Sequence, residues 1–240
     1  MTPATRSARK KAATPPRRAR PVKPRPAVPA PRNPPTRSPR QPAPAPAPSP
    51  AERALDESLA SALVLDRAGY SYIVHPLLDG VPRCPPELLE AWLSWARRQD
   101  PAGEATLLLA PEAMGLPLVA PLSLALGIPY GIVRKRKYGL AGEQVAYAET
   151  GYGEAALHIN DVGPGDKVLV VDDVLSTGGT LGSILATLQH MGVTVVGALV
   201  AIDKGHRRAM LEDRFGVPIH AMRAIRVEAG KVRVLSRPAG

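Results

Sequence analysis

At 240 residues the chain has room for one large domain or two small ones, and its charge is unevenly spread. Residues 1–50 hold 16 of the 28 prolines, 12 of the 31 Lys and Arg, and none of the 21 Asp and Glu, so the formal net charge of +10 is a basic tail on a slightly acidic body. Cys84 is the single cysteine, which excludes an internal disulfide and a Cys-built zinc site and fits a reducing cytoplasm.

The tail, typified by "RNPPTRSPRQPAPAPAPSP", has almost nothing apolar to bury, and its prolines remove backbone donors. Residues 1–50 are therefore expected to be a disordered tether, with residues 51–240 as the folded domain. The basic charge leaves open a weak contact with nucleic acid or another polyanion. An Arg-rich, acid-free segment also fits a cleaved transit peptide, although repeated proline disfavours an amphipathic targeting helix, and Met1 is followed by no apolar signal core.

Leu55, Leu59 and Leu63 recur every fourth residue and predict a first amphipathic helix; "PPELLEAWLSWARRQ" predicts a second, with Trp92 and Trp95 on one face as core. "ATLLLA" reads as a strand, "MGLPLVAPLSLAL" as a helix and "YGIVRK" as a strand. The uncharged run Ala113–Val133 raises the question of a membrane span, but its prolines and glycines divide it into that helix and strand, so no membrane segment is expected. "KVLVVDD", "GTLGSILATLQHMG", "VTVVGALVAID" and "HRRAMLEDRFG" continue the strand–helix alternation, and "PIHAMRAIRV" with "KVRVLS" forms a closing pair. Apolar strands separated by helices predict a doubly wound α/β domain around a mostly parallel, five-stranded sheet.

Ligands of such sheets lie beyond the carboxyl ends of the strands. There "VLVVDDVLSTGGT" places Asp172 and Asp173 at the end of a strand and turns through Ser176, Thr177, Gly178, Gly179 and Thr180 into a helix. Glycines let backbone amides approach an anion, the threonines add hydroxyls, and the helix start adds partial positive charge, a cradle for a phosphate monoester. The two acids then suit the hydroxyls of a ribose on the same ligand. Side chains alternate along a strand, so both acids reach that ligand only if the chain turns after Asp172. His158 and His190 have no partner at metal-ligand spacing and read as surface or packing residues.

This segment resembles the phosphoribosyl pyrophosphate (PRPP) motif of the type I phosphoribosyltransferases. "YIVHPLLDGVP", "PEAMGLPL", "IVRKRKYGL" and "ETGY" make the chain similar to archaeal-type hypoxanthine and adenine enzymes, with the likeness extending from about Tyr70 to Val234. The resemblance implies transfer of a phosphoribosyl group from PRPP to a purine, with Mg2+ carried on the pyrophosphate and no direct protein ligand to the metal. It also implies a small hood over the base, containing His75, and a homodimer.

In the family the turn matching Glu112, Ala113, Met114 and Gly115 is the pyrophosphate loop, and Arg134, Lys135 and Lys137 match its cationic clamp. Residues 137–150 match its mobile loop, with Gly139 and Gly142 giving freedom to close. The sequence departs from its relatives at the base that must accept the purine proton: Ser176 stands where 6-oxopurine enzymes often carry Asp, and Glu149 is the nearest counterpart of the loop Glu of adenine enzymes, out of register with it. Lys135 and Glu149 are accordingly the candidate catalytic residues. "VAIDKGH" is similar to the base-reading segment of xanthine enzymes, which puts Lys204 at an exocyclic oxygen and His206 at the stacking position, favouring hypoxanthine or guanine over adenine. The contrasting reading is a non-catalytic PRPP- or nucleotide-sensing regulator whose tail contacts nucleic acid; the retained "RKRK" run and the lack of a helix-turn-helix before residue 51 favour the enzyme.

Overall fold

The computed structural model describes residues 48–67, 69–150, 153–205 and 207–235. Helix α1 (Pro50–Ala60) starts from a reciprocal cap in which Ser49 accepts from the Glu52 amide and Glu52 accepts from the Ser49 amide. It ends at Ser61, so Leu55 and Leu59 are fully buried while Leu63 belongs to a strand and is 58% exposed. The expected third turn of that helix is replaced by a hairpin, β1 (Leu63–Arg67) and β2 (Tyr70–Val74), paired antiparallel. The short α2 (Pro76–Asp79) follows, then α3 (Pro86–Ala96) and α4 (Asp100–Glu104).

The α/β alternation then runs β3 (Leu107–Pro111), α5 (Leu116–Leu126), β4 (Tyr130–Val133), a second hairpin β5 (Gln144–Thr150) and β6 (Gly153–Ile159), β7 (Lys167–Leu175), α6 (Gly179–His190), β8 (Thr194–Asp203), α7 (Arg208–Phe215), β9 (Ile219–Glu228) and β10 (Lys231–Val234). The main sheet has the order β10-β9-β8-β7-β3-β4. Its five strands from β9 to β4 are parallel, as the alternation implies; β10 adds a sixth, antiparallel edge strand and is the second half of the expected closing pair. Pro121 and its neighbours lie in α5, and no helix among the described residues is long and apolar enough to cross a membrane.

Helices cover both faces. Leu55, Leu59, Trp92, Leu118 and Leu122 pack on one face against Leu108, Leu169, Val171 and Leu199. Leu181, Ile184, Leu185, Leu188 and Leu211 pack on the other against Leu109, Val168, Val170 and Ala198. The alternation of Val168–Val171 between the two cores is the period-two signature of a strand buried on both sides. Trp92 is fully buried and donates its indole N–H to the Leu118 carbonyl at 3.1 Å, while Trp95 is half-buried with its ring 5.3 Å from that of Trp92.

The stretch expected as a mobile loop is regular in its second half. Residues 144–150 pair rung by rung with 153–159, from Gln144↔Ile159 to Thr150↔Gly153. Ala146 and Ala148 alternate inward against Leu157 and Ile159 while Tyr147 points out, 79% exposed, so the segment follows strand periodicity.

Candidate active site

Strand β7 brings the acids to the rim of the sheet. The valines and leucine before them are wholly buried, Asp172 is buried and Asp173 half-buried, and both line a cavity of about 480 Å3. The alternation that would separate them breaks at this point. Val174 packs with the core that holds Leu169 and Val171, and Leu175 with the core that holds Val168 and Val170, the reverse of a simple period of two. The phase slip puts both carboxylates on one cavity, the turn that a shared ligand requires.

Burial raises both acids. It pushes Asp172 up against the opposing effect of hydrogen bonds from Asp173, whose amide donates to Asp172 Oδ1 at 2.9 Å. Asp173 is raised by burial first and then by the negative charge of Asp172, with a smaller contribution from Asp79. Two adjacent carboxylates withdrawn from water have an unmet demand for donors or a cation.

After Leu175 the chain turns through Ser176, Thr177 and Gly178 into α6. Gly178 is left-handed (φ +81°), and a Cβ there would also approach Leu211 Cδ1 to 3.2 Å. The N-cap Gly178 has no side chain to cap α6, Thr177 Oγ1 accepts from the Gly179 amide at 3.4 Å, and Ser176, Thr177, Gly178, Gly179 and Thr180 all line the cavity. The end of β8 is stitched alongside, with the Lys204 amide donating to the Leu175 carbonyl at 2.9 Å.

The loop after β3 forms the next wall. Glu112, Ala113 and Met114 line the cavity, and the Glu112–Ala113 peptide is cis. Gly115 is required by close approach: a Cβ there would lie 2.7 Å from the Pro111 carbonyl and 3.1 Å from that of Val171. The Glu112 side chain turns to the end of β4, accepting from the Lys135 amide at 2.7 Å and pairing with Arg134 Nε at 3.0 Å. Of the clamp cations, Lys135 lines the cavity; Arg134 is committed to Glu112, and Lys137 is exposed away from the lining.

Loop 137–143 is gathered by one side chain that the sequence does not flag. The half-buried Glu143 accepts from the Tyr138 amide at 2.9 Å, the Gly139 amide at 3.3 Å and Asn160 Nδ2 at 3.1 Å, and lies 3.3 Å from His158 Nδ1. The Tyr138 amide foremost holds its carboxyl below the usual range. His158, expected as surface or packing, is buried against Glu143.

The hood completes the cavity with Tyr70, Tyr72, Ile73, Leu78 and Asp79, none of which the sequence reading assigns. Tyr70 and Tyr72 stand on the same face of β2, the alternation that could have flagged them. The Tyr70 hydroxyl lies 2.9 Å from Ser176 Oγ, and its ring sits 3.8 Å from Lys204 Nζ, which also donates to the Ser71 carbonyl. His75 is buried beneath the hood: its ring caps α2 through the Leu77 amide and meets Ser58 Oγ at 3.0 Å. The Glu149 side chain and His206 lie outside the described residues, as do residues 1–47 of the expected tail; at its end Ser49 caps α1 and Pro50 opens that helix, so the folded domain begins slightly before residue 51.

The cavity thus joins an amide-and-hydroxyl cradle, an acid pair, a second loop with one lysine, and a lysine against the Tyr70 ring. Residues 87–219 match the family model described as "Phosphoribosyl transferase domain", more than half of the chain. The chain belongs to the phosphoribosyltransferase family. This phosphoribosyltransferase is 43% identical over 187 residues to a hypoxanthine/guanine phosphoribosyltransferase of Methanothermobacter thermautotrophicus, covering 78% of this chain and 96% of that protein. It is 39% identical over 181 residues to the one from Methanocaldococcus jannaschii, covering 75% and 99%. Among solved structures, the adenine phosphoribosyltransferase of Thermoanaerobacter pseudethanolicus superposes with a TM-score of 0.56 at 23% identity, covering 72% of this chain and 99% of that one, a likeness of fold.

Proposed function

We propose that this phosphoribosyltransferase transfers the 5-phosphoribosyl group of PRPP to a 6-oxopurine, hypoxanthine or guanine, and releases pyrophosphate. The observation that carries the reading is the convergence of Asp172, Asp173, the Ser176–Thr180 turn, Lys135 and Lys204 on one cavity. The names of the archaeal relatives, hypoxanthine/guanine phosphoribosyltransferases, support the choice of base.

Each wall then has a role. The amides and hydroxyls of Ser176–Thr180 take the 5′-phosphate, and Asp172 and Asp173 accept from the ribose hydroxyls. The amides of Ala113–Gly115, with Lys135, take the pyrophosphate, while the Glu112 amide is held by the Val133 carbonyl, Arg134 acts through the Glu112 side chain and Lys137 joins when the loop closes. The cavity's carboxylate and hydroxyl oxygens are hard donors that suit Mg2+ brought in on PRPP oxygens. When bound it supplies neutralisation of the leaving pyrophosphate.

The transfer needs no covalent enzyme intermediate. As the anomeric C–O bond breaks, positive charge grows on the sugar beside Asp172 and Asp173, and negative charge grows on pyrophosphate beside Lys135. Fixed groups of this kind cost no reorganisation at the moment of reaction, and loss of one is worth about 3 kcal/mol in the transition state. Lys204 has three donors, so it can meet a purine O6 while retaining its Ser71 contact; it meets a 6-amino group poorly. His206 is the companion residue for stacking on the ring. The reading extends to a homodimer in the cytoplasm and to weak contact between the tail and polyanions.

The test is to incubate the full-length protein with PRPP, Mg2+ and hypoxanthine, guanine or adenine in turn. Nucleotide should form fastest with the 6-oxopurines. Failure with all three bases, in protein that binds PRPP, would refute the transferase reading.

A further inference from the structure

The transfer leaves one proton to be placed. A neutral purine carries an N–H on its five-membered ring, and as one ring nitrogen bonds to the anomeric carbon that proton must leave. Among the described residues four carboxylates line the cavity: Asp79, Glu112, Asp172 and Asp173. Glu112 is committed to the Lys135 amide and Arg134, at the pyrophosphate wall. Asp172 and Asp173 sit side by side at the end of β7, where the ribose reading places the sugar.

Asp79 belongs to the hood. It ends α2 and accepts from Tyr72, which shares a face of β2 with Tyr70, the ring that lies against Lys204, and it is therefore on the side of the cavity assigned to the base. Its Oδ1 accepts from the Tyr72 hydroxyl and its Oδ2 from the His75 amide at 3.1 Å. An ionised carboxylate has about four lone-pair positions, so both oxygens keep room for a further N–H. Its charge contributes to raising Asp173, as expected of groups facing a common space. The buried His75 is held down to about 4, mainly by desolvation, so its ring is neutral at working pH and supplies no cation to weaken Asp79 as a base.

We propose that Asp79 is the general base of the transfer and that Tyr72 is a positioning residue that aims its carboxylate at the purine. The inference rests on the purine-transfer reading above. The attacking ring nitrogen forms its bond to the anomeric carbon, and the electron pair of the broken C–O bond leaves on pyrophosphate. The N–H electron pair stays in the purine ring and the proton passes to Asp79, which returns it to water after product release. No oxidant or further reactant is required.

The experiment uses the full-length protein, Asp79→Asn, Tyr72→Phe and Glu149→Gln, with hypoxanthine and with 8-azahypoxanthine, whose ring N–H is the more acidic. Asp79→Asn should lower kcat with hypoxanthine about 100-fold or more, the usual contribution of a positioned base, while KM for PRPP and purine stays within about threefold. The loss should shrink at least about tenfold with the aza base, because a proton that leaves readily needs less help. Tyr72→Phe should show a smaller loss, about tenfold, with the same base dependence, which a merely structural role would not produce. If Asp79→Asn does not fold, the Tyr72→Phe pair of rates decides. Wild-type-like kcat in Asp79→Asn, equal losses with both bases, or loss and rescue in Glu149→Gln alone would overturn the assignment while leaving the transferase reading intact. A wild-type protein inactive with every purine would overturn both.

Discussion

Replacing Asp172 by Asn should make the ligand-free protein more stable while damaging its affinity for PRPP. Burial raises Asp172 from its usual value of 3.8 to about 6. The folded value lies above the unfolded one, so folding disfavours the ionised form; stability is highest below the unfolded value and is lost as pH rises through the folded one. That rise corresponds to about 3 kcal/mol, felt almost in full at pH 7.5. Asn has the same shape and keeps an oxygen for the Asp173 amide, and removing the charge also relieves the raised Asp173. For a domain of this size about 3 kcal/mol corresponds to a rise in Tm of roughly 6–12 °C. Scanning calorimetry of both proteins without ligand at pH 7.5 and near pH 4 measures it: the gap should be large at the first and nearly closed at the second, and PRPP with Mg2+ should raise the Tm of the wild type far more than that of the variant. A variant that melts at or below the wild type at pH 7.5, or a gap that does not narrow toward acid, would refute the reasoning.

Lys135→Ala should lower kcat about 100-fold, equivalent to about 3 kcal/mol, with little change in purine KM, because its charge matters most as pyrophosphate departs; steady-state kinetics with PRPP varied separates the two. Lys204→Ala should reduce kcat/KM at least about tenfold for hypoxanthine and guanine and much less for adenine, since a site built around a donor discriminates through the base that leaves it unpaired; equal losses for all three bases would show that the lysine does not read the base. Deleting residues 1–47 should leave turnover and Tm unchanged and abolish any retention on nucleic acid, retention that should fall steeply with salt in the full chain.

Much of the fold is legible in the sequence because its signals are local. The apolar runs of β3, β7 and β8 and the fourfold spacing of Leu55 and Leu59 report burial directly, and the acids, hydroxyls and glycines of residues 172–180 are contiguous, so their chemistry needs no tertiary information. What escapes depends on chain reversals. Leu63 continues the helical spacing, but Ser61 caps the helix one turn earlier and the chain turns back into a hairpin. The cationic run Arg134–Lys137 reads as a response to polyphosphate, yet Arg134 is answered from within the protein by Glu112, which β3–β4 pairing brings alongside. Glu143 and His158 meet only because β5 and β6 fold onto each other, and Asp79 meets Asp173 only because the hood lies over the sheet; no spacing in "HPLLDGVP" marks that acid.

The electrostatics of the cavity also account for an anion cradle built beside two acids. Asp172 and Asp173 are buried at a cost that the ligand-free protein does not recover, and their mutual repulsion adds to it. A bare phosphate would make matters worse, bringing a further negative charge next to the pair. A ligand recovers the cost only by presenting hydrogen-bond donors or a cation to the acids while its phosphate occupies the amides a few residues later in the chain. A ribose 5-phosphate carrying metal-bound pyrophosphate meets both demands at once, whereas inorganic phosphate meets one and aggravates the other. On the proposed reading, the strain held in the acid pair would work as a filter: it would weaken the binding of simple anions, strengthen the preference for a phosphorylated sugar, and leave the acids charged near the sugar when positive charge develops there.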